Sequence, residues 1–199
     1  MIFSVDETLR RRAKSPHELA MVNLLLVNIL MLIALLAGSF LQSGSALADY
    51  RLEGVLIPLA VSLGIVAFTF ANAGKIAAVG PWFVAAHWRL ATSRYKILLV
   101  AYAVGAALIG LGWLLSLGQK DPRMEELMFI ALQRVAIAPI LIVLMVLIML
   151  ESGSLYQAGR GEVPDGLMRR FPPPADLAGS EARPFSSGEG PGERREGNR

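Results

Sequence analysis

Four apolar runs, residues 19–41, 52–73, 95–117 and 127–150, occupy most of the first three quarters of this chain. Each is long enough to cross the hydrocarbon core of a bilayer, which takes about 20 helical residues for roughly 30 Å. Inside lipid every backbone N–H and C=O must find its partner within the protein, and a run that must do this alone is a helix. With 54% hydrophobic residues among 199 and a mean hydropathy of +0.52, the chain is too apolar for a soluble domain that must meet water over its whole surface. The expected fold class is an all-α integral membrane protein with four transmembrane helices.

Basic residues set the expected orientation, because lysine and arginine resist translocation and stay on the cytoplasmic side. Arg10, Arg11, Arg12 and Lys14 precede the first run, Lys75, Arg89, Arg94 and Lys96 flank or fill the connection between the second and third, and Arg160, Arg169 and Arg170 follow the fourth. Only Arg51, Lys120 and Arg123 fall on the other side. Eleven against three puts both termini in the cytoplasm on this reading, and the expected location is the plasma (inner) membrane. The short outer connections "QSGSALADYR" and "GQKDPRMEE" force two antiparallel hairpins. A signal peptide is the competing reading of the first run, given "RRRAK" before it and "ALA" at 46–48 after it. Its 23 residues exceed a signal core of about 7–15, so a retained helix is expected.

Three segments follow from this reading: a basic N-terminal segment 1–18, a four-helix domain 19–151 and a cytoplasmic tail 152–199. Between the second and third runs, "GKIAAVGPWFVAAHWRLATSR" is apolar but interrupted, with Gly80-Pro81 as a turn. Trp82, Trp88 and Arg89 are the types that favour the headgroup zone, so a short interfacial helix is expected there. From Gly159 onward the chain is rich in Gly, Pro, Ser and charge, which predicts a largely disordered tail.

Polar residues inside the runs are few. Arg134 sits about 10 Å into the fourth run, where it either snorkels toward the outer headgroups or turns inward to freed carbonyls and to Glu53 at the mouth of the second. Asn28 and Tyr102 lie at matched depth and are expected to bond across helices, and Asn23 and Asn72 share the same half. Ala101, Gly105, Ala106 and Gly110 offer a small-residue packing face on the third run. His17 and His87 fall beside the cytoplasmic headgroups, where solvated imidazoles are expected; together, or with Met21, they are also the only candidate haem ligands.

No nucleophile with a base, no metal-ligand set and no phosphate loop is present, and no cysteine supports dithiol or iron–sulfur chemistry. Dispersed basic residues without interleaved aromatics exclude a nucleic-acid groove. The expected function is non-enzymatic, without a cofactor: a structural or accessory subunit, or an assembly factor, held in the bilayer with a membrane-protein partner or as a homo-oligomer. The alternative is an oligomeric channel or carrier, with Arg134 selecting an anion. A haem-binding electron-transfer protein is the third reading.

Overall fold

The computed structural model describes residues 1–38, 50–118 and 120–175. Residues 46–48, with their possible cleavage pattern, and the tail 176–199 lie outside the described residues. Helix α1 (Glu7–Val22) continues through a π-helical turn (Asn23–Asn28) into α2 (Ile29–Gly38), so the three form one long element. Asp6 caps it: its carboxylate accepts from the Thr8 hydroxyl and from the Leu9 amide at 3.0 Å. Those bonds hold its carboxyl below the usual carboxylate range. Next come α3 (Arg51–Val79), α4 (Trp82–Ser116), α5 (Pro122–Arg160) and the single turn α6 (Asp165–Met168). Four helical stretches are long and apolar enough to cross a membrane: Glu7–Ala37, Leu52–Val79, Trp82–Ser116 and Arg123–Arg160.

Gly80 and Pro81 do form the turn between α3 and α4, since the proline holds the residue before it in extended backbone, with ψ 166° at Gly80. The expected separate interfacial helix is corrected. No breaker follows Pro81 until well past Tyr95, and the connector is the start of α4 itself. Its apolar side chains are covered by protein: Phe83, Val84, Ala86, Trp88 and Ala91 are buried.

α4 packs most extensively on α5, and α1 lies against both. The core between them holds Leu24, Leu98, Ile137, Ile140, Leu144 and Leu147, with Val66 from α3. Close approach of α4 to α5 depends on Gly105, where a Cβ would stand 2.4 Å from Ile140 Cδ1. Of the small-residue face read from sequence, Ala101 and Gly105 are buried, whereas Ala106 and Gly110 are exposed.

A second, smaller core closes the end where the first residues meet the segment after α5. Phe3, Ala13, Phe83, Ala86, Ala158 and Val163 are buried together, with Trp82, Leu167, Met168 and Phe171 against them. The N-terminal residues lie antiparallel to the segment after α5: Phe3 N–H donates to the Gly161 carbonyl at 2.8 Å and Val163 N–H to the Met1 carbonyl at 3.0 Å. Gly161 ends α5 in the left-handed region at φ 75°, and a Cβ there would stand 2.6 Å from the Phe3 carbonyl oxygen. Only glycine meets both demands.

The expectation of a disordered tail from Gly159 is therefore corrected for the described residues. α5 runs on to Arg160, and Phe171 stacks on Trp82 at 5.9 Å with the Arg89 guanidinium 3.9 Å from its ring centroid. These aromatic and cation contacts offset the ordering entropy that a Gly- and Pro-rich segment would otherwise leave uncompensated. Truncation after Pro164, which removes Leu167, Met168 and Phe171, is expected to lower stability by about 2 kcal/mol, or a melting temperature by about 4–8 °C. A melting temperature unchanged in detergent would show that the segment contributes nothing.

Candidate functional site

Three ionisable residues bracket the apolar runs at one depth. His17 precedes the first run, Arg94 precedes the third, and Glu151 follows the fourth. Because α1, α4 and α5 pack together, these positions meet in one layer, and His87 joins them from the first turns of α4. Water is nearly excluded: His17 and His87 are 0% exposed and Glu151 is 1% exposed.

The polar atoms form a chain. Glu151 Oε2 lies 2.6 Å from His17 Nδ1 and 3.4 Å from an Arg94 guanidinium nitrogen. That guanidinium also donates to the Leu150 carbonyl at 2.6 Å. His17 Nε2 lies 3.0 Å from His87 Nδ1, and His87 Nε2 lies 3.1 Å from the Glu162 carbonyl oxygen.

Proton positions follow from the last link. A carbonyl oxygen only accepts, so His87 carries its hydrogen on Nε2 and, as a neutral ring, accepts at Nδ1. His17 must then donate from Nε2. One remaining proton lies between His17 Nδ1 and Glu151 Oε2, where the two atoms share it, and the Arg94 guanidinium lies beside that oxygen. The arrangement can hold and share a proton, and it ties four separate chain segments to one carboxylate.

A second, neutral network lies deeper in the bundle. The π-helical turn lets the Asn28 amide reach back and donate to the Asn23 carbonyl at 2.9 Å. Asn28 also donates to Ser62 Oγ at 3.2 Å, Ser62 meets the Tyr102 hydroxyl at 2.7 Å, and Tyr102 donates to Asn28 Oδ1. Tyr95 lies beside Asn23 and Thr69, between this network and Glu151.

The structure thus brings Asn28 and Tyr102 together and adds Ser62, which sequence reasoning did not single out. Arg134 is exposed on the surface of α5 and Glu53 is exposed on α3, with α4 and the first helix largely separating those two helices. Trp88 is buried against Ala73 and Val84, Trp82 is half-buried between Phe3 and Phe171, and Arg89 is exposed over Phe171. The expectation of solvated histidines is corrected. Both nitrogens of each ring are engaged within the protein, so neither faces an open position for a haem iron. Among the described residues, no group of three or more His, Cys, Asp or Glu side chains is placed to hold a metal ion. The missed signal was depth: the matching that pairs Asn28 with Tyr102 also aligns His17, Arg94 and Glu151, once it is applied at the ends of the runs.

Removing one partner of a buried pair strands the other charge, so His17→Ala and Glu151→Ala are each expected to lose about 3–5 kcal/mol. The double mutant is expected to lose much less than the sum, in a denaturation cycle measured in detergent. Arg134→Leu, at an exposed position, is expected to stay within about 0.5 kcal/mol. Additive losses at His17 and Glu151 would contradict the pairing.

No family model, no curated protein and no solved structure matches this chain.

Proposed function

We propose that this chain is a multi-pass membrane protein of the plasma (inner) membrane that acts as a structural or accessory subunit, or an assembly factor, of a membrane complex. Its four long helices would span as two antiparallel hairpins with both termini cytoplasmic, the orientation favoured by the basic residues. In that frame the buried cluster stands at the cytoplasmic end and closes it.

One observation carries the subunit reading. Along α3, Ala60, Gly64, Ala67, Ala71 and Gly74 recur at steps of four, three, four and three residues, and all are exposed. A Cβ added at Gly64 or Gly74 would meet nothing within 4 Å. Helices meet closely in membranes through small residues, whereas a face turned to lipid gains more from large apolar ones. This smooth face is suited to a partner helix. Support for the channel alternative is thinner: the cavity of about 350 Å³ between the first helix, α3 and α4 is lined by Met31, Leu35, Leu59, Leu99, Tyr102 and other uncharged residues. Arg134 is not among them.

Extraction in mild detergent is expected to retain a stoichiometric membrane partner, and Gly64→Leu with Ala67→Leu to release it about tenfold or more without changing the melting temperature. A monomer without partners would overturn the reading, and a homo-oligomer would favour the channel. Topology is tested separately. The chain has no cysteine, so Lys120→Cys is expected to react with an impermeant maleimide in intact cells and Glu7→Cys only after lysis. Labelling of Glu7→Cys from outside would reverse the orientation.

A further inference from the structure

We propose that the His17–His87 hydrogen bond is a proton-operated latch, which holds residues 1–6 and 161–171 in place at neutral pH and releases them when the cluster takes up one further proton. The latch rests on the topology proposed above only for which compartment it senses.

The groups that face it come from every surrounding element. α1 contributes His17, α4 contributes His87, Arg94 and the Tyr95 phenol, α5 contributes Glu151, and the segment after α5 contributes the Glu162 carbonyl. From the π-helical turn and α3 come only the uncharged Asn23 and Thr69. Lys14 and Glu18, on neighbouring turns of α1, line a separate open groove with Ser152, Tyr156 and Arg160.

Closed, every bond in the chain has one donor and one acceptor. A further proton has two places to go. On His87 Nδ1 it turns the acceptor into a second donor, 3.0 Å from the N–H of His17. On the Glu151–His17 pair it removes the carboxylate and leaves Arg94 without its counter-charge. Either position breaks a link and adds positive charge beside an arginine where water is excluded.

Opened, the imidazoles meet water and protonate near the ordinary value of about 6.5. The closed cluster already holds one proton between His17 and Glu151, so the open state binds more protons than the closed one only below about pH 6.5. Closure is tightest near about pH 6.5, where the open and closed states bind equal numbers of protons, and is lost as pH falls, the opening constant approaching a rise of about tenfold per pH unit for one further proton. The Glu162 carbonyl is the point of release. It sits between Gly161 and Val163, whose backbone bonds secure Phe3 and Met1, so loss of the His87 link frees both terminal segments together.

Hydrogen exchange on the full chain in detergent tests this, comparing about pH 6.5 with about pH 4.5 after correction for intrinsic exchange. The amides of Phe3 and Val163 are expected to open about tenfold more often at the lower pH, while Leu144 in the main core keeps its protection. His87→Gln, an amide with one donor and one acceptor and no titration, is expected to give equal opening at both. A rise that survives in His87→Gln overturns the latch. The wild type decides the matter even if that variant fails to fold: equal protection at the two pH values, or a loss that spreads to Leu144, also overturns it.

Discussion

A carboxylate in the last third of α5, 1% exposed, is the constraint around which this molecule is arranged. Glu151 directly follows an apolar run and is held away from water, where an unpaired charge would be strongly disfavoured. Two donors answer it. His17 approaches to 2.6 Å and Arg94 to 3.4 Å, and meeting both sets the relative heights of α1, α4 and α5. Apolar packing alone leaves such heights weakly specified, because one leucine contact resembles the next. His87 carries the same constraint outward to the Glu162 carbonyl, and through it to the zipped terminal segments.

Above this ionic layer the neutral network fixes rotation. Asn28, Ser62 and Tyr102 come from the first helix, α3 and α4, and each bond between them is worth about 0.6–2 kcal/mol in an apolar setting. The π-helical turn supplies the geometry: it widens the first helix where the Asn28 side chain must reach the Asn23 carbonyl. Among the described residues, most buried polar side chains thus lie on the axis and at the end that holds Glu151. The outer surface is left to apolar and small residues, and the small ones gather on α3.

Much of this was legible from sequence, for a physical reason in each case. The four long helices follow from run length, since backbone bonding in an apolar medium admits little else. Asn28 and Tyr102 were found by depth, which works because polar groups inside an apolar run have few choices of partner. The ionic cluster escaped the same method because its members lie one or two residues outside the runs, where a charged side chain is ordinarily taken to be solvated. His17 and Glu151 are also 134 positions apart, so no local spacing joins them. The ordered stretch after Gly161 escaped because its composition argues for disorder, while its few aromatic residues pack on the start of α4. Arg134 drew attention in sequence by being charged, yet it stands on the surface of α5.

Nitrogen-15 NMR of the full chain with labelled histidine tests the central claim most directly, because the chain has only two. At neutral pH the account predicts one neutral ring protonated on Nε2 with an accepting Nδ1, one ring that donates from Nε2 and shares a proton at Nδ1 with a carboxyl, and a coupling across the bond between the rings. Two solvent-exchanging imidazoles, each titrating near about 6.5 without such a coupling, would contradict it.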